Sequence, residues 1–207
     1  MSFDRTGVSA PLDLFLASTS PRRRALLEQA GLRFAICEPG PEYLPGAAGE
    51  FTSEPGSPVL HATERAARKA LLARVPDPGV PVLGVDTVVD LDGEELGKPV
   101  DRDQAEGMLR RLAGRRHAVH TAHCLWLPSR GARVEALHSA VVACGPLEIG
   151  RLGRYLDSGQ WRGKAGSYGV QDDAQDFFQL VEGAFDTVVG LHVPAVRELL
   201  GRLGRAP

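Results

Sequence analysis

The run Val80–Leu91 constrains the fold of this 207-residue chain more than any other stretch. It is a string of apolar, largely β-branched residues with one carboxylate, Asp86, in its interior. Asp90 and Asp92 fit ordinary hairpin ends, and the run leads into the hairpin dipeptide Asp92-Gly93. A strand of this kind commits the chain to a sheet with a buried face. A carboxylate inside it is costly unless it is paired, hydrogen-bonded or metal-bound. A polar residue on an exposed strand face is the ordinary alternative. It fits poorly, because Gly84 and Val88 share the parity of Asp86 and neither is polar. Asp86 is therefore the first candidate for a general base or metal ligand.

The remaining pattern places helices between strands. Leu12–Ser18 reads as a strand, followed by a helix over Pro21–Ala30 with Ser20 at the N-cap and Gly31 past its end. Arg33–Cys37 reads as a short strand. Glu38–Ser57 is rich in Gly, Pro and acidic residues without apolar periodicity and reads as a long loop, either a mobile functional lid or a disordered segment. A helix capped by Ser57 follows, with Ala62, Ala66 and Ala70 on one side, and another opens at Asp101. Strands are expected at His117–Leu127, Arg133–Cys144, Phe177–Val181 and Thr187–Val189, with helices from Pro146 and over Pro194–Leu203. Residues 1–11 read as a loose terminus and 12–204 as one domain. Strands and helices mixed without strict βαβ alternation predict an α/β fold with a mixed, curved sheet forming two lobes around a cleft.

Hydrophobic residues make up 43% and charged residues 24%, the balance of a globular domain. The net charge of −2 supplies no global field toward nucleic acid or anionic lipid. Any anionic ligand must be held by a local cluster. Three scattered cysteines, Cys37, Cys124 and Cys144, form no CxxC pair and argue for a reducing, cytoplasmic setting. Asp13 interrupts the only candidate leader segment, and no run is long enough to span a membrane.

Such a cluster is visible at Ser18–Arg24, where a strand enters a Ser/Thr turn and a helix begins with three arginines. Cations are disfavoured at a helix N-terminus by the macrodipole, so the arrangement points to an anion held over amides, hydroxyls and guanidiniums. The alternative is a solvated face with the arginines paired to Glu28 or the acidic loop. Only three of the 24 basic residues are lysine: Lys69, Lys98 and Lys164. In so Arg-rich a chain, a retained lysine suggests a need for a compact ammonium. Lys98 sits between Gly97 and Pro99, which restrain its backbone. The stretch Gly163–Gln171 reads as a loop entering a strand, with the Gln171 amide able to read the edge of a base; a purely structural loop is the equal alternative. His117, His120 and His123 do not form a metal cluster, since strand geometry puts His120 on the opposite face. No HExxH, GxSxG or Walker sequence is present.

LASTSPRRRALLEQAGLRF (Leu16–Phe34), GVDTVV (Gly84–Val89), LGKP (Leu96–Pro99), MLRRLAGRRHAVHTA (Met108–Ala122), GKAGSYGVQ (Gly163–Gln171) and VVGL (Val188–Leu191) resemble the successive blocks of Maf proteins. These are nucleoside triphosphate pyrophosphatases with an α/β fold related to the inosine triphosphatases. The resemblance runs from Leu14 to Leu200, and the DTVV and AGxYGxQ forms look like the dTTP/UTP-hydrolysing branch. It implies that Asp86 is the proton acceptor and that Ser18, Arg22, Arg23, Lys69, Lys98 and Gln171 line the substrate pocket. Arg22, Thr87 and Gln171 would set base specificity. A divalent cation, Mg²⁺ or Mn²⁺, would be held by Asp86 and a glutamate, with Glu50 preferred over Glu42 for its spacing from Lys69. The expected partner is a nucleoside triphosphate, with no nucleic acid or membrane, and a homodimer is compatible with the sequence. Other nucleotides, such as 7-methyl-GTP, and a non-enzymatic role in septation remain as alternatives. The chain departs from the family pattern at Gln160-Trp161, at Asp172 where Gly commonly follows the Gln, and at His192 where Pro is usual.

Overall fold

A computed structural model of the chain describes residues 11–41, 57–172 and 177–205. Residues 1–10, most of the expected acidic loop and both Glu42 and Glu50 lie outside the described residues. In chain order the elements are β1 (Leu14–Ala17), α1 (Pro21–Gln29), β2 (Phe34–Ile36), α2 (Pro58–Leu71), β3 (Val82–Leu91), β4 (Glu94–Leu96), α3 (Arg102–Leu112), β5 (Arg116–Leu127), β6 (Ala132–Cys144), α4 (Ile149–Ser158), β7 (Phe178–Glu182), α5 (Phe185–Val189) and α6 (Val193–Arg205). The seven strands form one open mixed sheet in the order β2-β1-β3-β5-β6-β7, with β4 also paired to β3. β1 runs parallel to β2 and β3, and the remaining pairs are antiparallel. No described helix is long and apolar enough to cross a membrane.

The ladder on β3 decides where a ligand can enter. One edge of β3 is covered by β5 from Val82 to Asp90. On the other edge β1 stops at Ala17, opposite Gly84, and the antiparallel β4 ends at Leu96, opposite Val89. Between them, among the described residues, Val85–Val88 have no strand partner on that edge. β1 ends there because Ser18-Thr19-Ser20-Pro21 turns the chain into α1, and Pro21 has no amide hydrogen to extend a ladder. The resulting crevice lies at the carboxyl end of a parallel strand pair, where open α/β sheets place ligands.

Side-chain alternation along β3 sorts the core. Leu83 and Val85 pack with Leu14, Leu16, Leu27 and the apolar side of α6. Val82 and Val88 pack on the other side with Ala62, Ala66 and Ala70 of α2. Small residues let α2 lie unusually close to the sheet, and Gly84 sets the distance. A Cβ built there would clash with the Ala66 carbonyl oxygen and stand 2.6 Å from the Ala70 nitrogen. Asp86, two residues on, faces the same helix.

Several expectations are corrected. Thr187–Val189 belongs to the short helix α5 rather than to a strand, because Asp186 accepts from the Val193 amide and the chain coils back at Gly190. α4 begins at Ile149, three residues after Pro146. Ser20 and Ser57 occupy N-cap positions but make no side-chain cap bond. Gly163–Gln171 enters no strand: Ala165–Ser167 is a 3-10 turn, with Gly166 and Ser167 both at positive φ. All three cysteines are buried and unpaired.

The close approach of α2 yields a prediction. Gly84→Ala should destabilise the protein by about 1–3 kcal/mol or more, because the neighbour is backbone that cannot rotate away. Gly107→Ala, on an open face of α3, should instead stabilise it by about 0.5–1 kcal/mol. Urea denaturation of the two variants against wild type checks both signs.

Candidate active site

The buried carboxylate is paired. Lys69 Nζ donates to Asp86 Oδ1 at 2.6 Å, and both residues are only 5% exposed. The Arg65 guanidinium stands 3.7 Å from Asp86 Oδ2, and that oxygen has no hydrogen-bond partner among the described residues. Two cations thus compensate the desolvated charge.

Two cavities meet beside this pair. The larger, of about 400 Å³, is lined by Ser18, Thr19, Ser20 and the start of α1, and by Arg22, Arg23, Lys69, Lys98 and Arg162. Among the described residues no carboxylate lines it. The first turn of α1 carries no acidic residue and its N-cap side chain makes no cap bond, so the helix N-terminus faces this cavity without a side-chain cap. The narrower, of about 60 Å³, is lined by Asp86, Thr87, Val89, Lys164, Tyr168 and Gln171, and shares Ser20, Arg22, Arg23, Lys98 and Gly163 with the first.

The three arginines of α1 separate into different roles. Arg24 pairs with Glu28 on the exposed face at 2.7 Å, so for this residue the solvated alternative holds. Arg22 is half-buried, donates to the Gly163 carbonyl at 3.3 Å and has its pKa lowered by burial. Arg23 donates to Ser18 Oγ, Thr87 Oγ1 and the Gly190 carbonyl at 3.1, 3.3 and 2.9 Å. Thr121 donates to the Thr187 carbonyl at 2.8 Å, which leaves it to accept from Thr87 at 3.0 Å. A directed chain therefore runs from Arg23 through Thr87 and Thr121 to Thr187. Within it Thr87 has spent its proton and can only accept from a ligand.

The structure brings Ser18, Arg22, Arg23, Lys69, Asp86, Thr87, Lys98 and Gln171 to these two cavities. Arg162 and Lys164 were not singled out as site residues from sequence. Arg162 lies over the Trp161 ring, 4.5 Å from its centroid. Lys164 pairs with Asp172, and burial followed by the nearby Arg22 charge pulls its pKa down to about 8. Its rarity in the composition was the available signal. Among the described residues no group of three or more His, Cys, Asp or Glu could hold a metal ion. Among the described residues that line the two cavities, Asp86 is the carboxylate that could contribute an oxygen. A single carboxylate oxygen fits a Mg²⁺-like ion that takes its other ligands from substrate phosphates and water.

β5 supports the site from below. His117 shares a short hydrogen bond with Tyr168, at 2.6 Å, and Tyr168 stacks on Phe178. His123 Nε2 accepts the His192 amide at 3.0 Å. His120, on the opposite face as expected, lies against Ser139. Burial pushes His117 down to about 4. Burial, with the nearby His138 and Arg23, pushes His123 down to about 3. In the unfolded chain both protonate near pH 6.5. The stability held in these neutral rings is therefore complete above pH 6.5 and is lost as pH falls toward the folded values, at up to about 1.4 kcal/mol per pH unit for each ring. Denaturation midpoints should fall between pH 6.5 and 5, above the range where the carboxylates titrate. A flat profile there would contradict this account.

The site can be set beside known proteins. The Maf-like protein family model matches residues 13–203. A dTTP/UTP pyrophosphatase of Thermus thermophilus is 43% identical over 196 residues, covering 94% of this chain and 96% of the relative. Enzymes of the same name from Burkholderia thailandensis and Symbiobacterium thermophilum are 39% and 38% identical, covering 91% and 92% of this chain and 91% and 94% of their own lengths. On this footing the chain belongs to the Maf family.

Proposed function

We propose that the protein hydrolyses nucleoside triphosphates, dTTP and UTP ahead of others, to the monophosphate and pyrophosphate. The observation that carries this reading is the position of Asp86. It lines the narrow pocket, while Lys69, its bonded partner, lines the cation-rich cavity. A triphosphate extended through the larger cavity meets Arg22, Lys69, Lys98, Arg162 and the start of α1. Its base then enters the narrow pocket against Gln171 and Tyr168, and its α-phosphorus comes to the junction beside Asp86.

Water attacks the α-phosphorus. Its proton passes to Asp86 Oδ2, the oxygen not engaged by Lys69. The new O–P bond forms as the bond from the α-phosphorus to the bridging oxygen breaks, and pyrophosphate departs with the electron pair. The cavity cations stabilise charge on the leaving group. Arg23 works by position, tying α1 to Thr87 and Gly190. A divalent ion, Mg²⁺ or Mn²⁺, would be held by Asp86 together with Glu50 and would neutralise phosphate charge. With reduced cysteines, the reading is of a cytoplasmic enzyme acting on the soluble nucleotide pool.

Base choice follows from hydrogen bonding. Thymine and uracil offer an imide N–H between two carbonyls. The Gln171 amide matches two of those groups, and Thr87 is an acceptor. Cytosine reverses one group and leaves a buried partner unpaired, at about 1–3 kcal/mol. Pyrophosphate release measured across dTTP, UTP, CTP and GTP with Mg²⁺ or Mn²⁺ tests the reading. kcat/KM for dTTP and UTP should exceed that for CTP by about 10-fold or more, and Gln171→Ala should narrow the gap. Equal activity on CTP removes Gln171 as the base reader. No pyrophosphate from any nucleotide overturns the activity.

A further inference from the structure

His61, Arg65 and Lys69 lie one above another along α2, at the i, i+4 spacing that aligns side chains. Lys69 ends on Asp86. Arg65 and His61 both end on Glu95 of β4, which the activity proposed above does not use. Glu95 Oε1 accepts from Arg65 NH1 at 2.6 Å, and Oε2 accepts from Arg65 NH2 at 3.1 Å. His61 Nδ1 lies 2.9 Å from the same Oε2. The side chains of His61, Arg65 and Glu95 are 19%, 14% and 11% exposed, so the group is largely removed from water. An apolar pair at this position would be at least as stable, since a desolvated ion pair repays little of its own cost. A specific geometric task explains its presence better than stability does.

That task concerns Asp86. Arg65 NH1 stops 3.7 Å from Asp86 Oδ2, beyond hydrogen-bond reach, because its two-pronged grip on Glu95 sets the guanidinium plane. Oδ2 consequently remains without a hydrogen bond among the described residues.

We infer that Glu95 is a positioning residue: by holding Arg65 in a bidentate pair beside Asp86, with His61 as a second brace, it keeps the guanidinium off the oxygen that must receive the proton of the attacking water. This rests on the pyrophosphatase reading. Without Glu95 the guanidinium can turn toward Asp86 Oδ2, already 3.7 Å away, and closing that gap would occupy the lone pair the reaction needs.

The test is a double-mutant cycle. Glu95→Gln should lower kcat by about 10-fold or more while KM stays within about threefold, since no substrate contact is lost. Adding Arg65→Met to Glu95→Gln should bring kcat back to within about threefold of Arg65→Met alone, because the two residues act as a unit. Circular dichroism confirms that each variant is folded. An unchanged kcat in Glu95→Gln, or losses that simply multiply in the double variant, would overturn the inference. A crystal structure of Glu95→Gln reads the same claim without turnover. Arg65 within about 3.2 Å of Asp86 Oδ2 supports it, and an unmoved Arg65 overturns it. If wild type releases no pyrophosphate, the activity reading has failed, and the crystal structure still decides the positioning.

Discussion

The hydrogen bond between Lys69 and Asp86 is the interaction on which the site depends, and the packing around it exists to make it. A carboxylate this deeply buried is tolerated only with its counter-charge in place, and removing one partner of such a pair typically costs about 3–5 kcal/mol. The counter-charge comes from a helix that reaches the strand only because residue 84 has no side chain. The alanines of α2, the glycine of β3 and the paired charges are thus one device. Small residues bring two elements close together, and that closeness sets the position of a reactive group.

The second constraint is the interrupted ladder on β3. The strand that carries Asp86 is flanked by β1 before it and β4 beyond it, with an uncovered edge between. The turn that ends β1 also opens α1. The same few residues, Ser18 to Arg23, therefore terminate a strand, present a helix N-terminus and deliver two guanidiniums to the crevice. Arg23 then connects this corner to the opposite wall through Thr87, Thr121 and the Thr187 carbonyl. A catalytic constellation is held to tight tolerances when its supports are hydrogen-bonded in this way.

Much of this was legible in the sequence because period and parity carry it. The run Val80–Leu91 announced the central strand, the shared parity of Gly84, Asp86 and Val88 announced burial, and the rarity of lysine pointed at cavity residues. What could not be read depends on contacts between distant segments. Thr187–Val189 has β-branched residues, yet it forms a helix because Asp186 and Gly190 fold the chain back on itself. Arg22, Arg23 and Arg24 are adjacent and chemically identical, and only the direction each leaves α1 separates a cavity cation, a structural tie and a surface ion pair. Two departures from the family pattern also find partners only in three dimensions. Asp172 pairs with Lys164, and His192 supplies to His123 the backbone N–H that a proline would lack. Glu95 and Arg65 are an unremarkable acid and base in the sequence until β4 and α2 bring them together beside Asp86.

The central claim is that Asp86 accepts the proton of the attacking water in a site whose nucleotide affinity comes from other residues. The most direct measurement is single-turnover hydrolysis of dTTP by Asp86→Asn, with nucleotide binding followed separately by calorimetry. The account predicts a rate lower by about 10²–10⁴-fold, with affinity changed only a few-fold, since the amide keeps the size and loses the proton acceptor. A variant that retains more than about a tenth of the wild-type rate would contradict it.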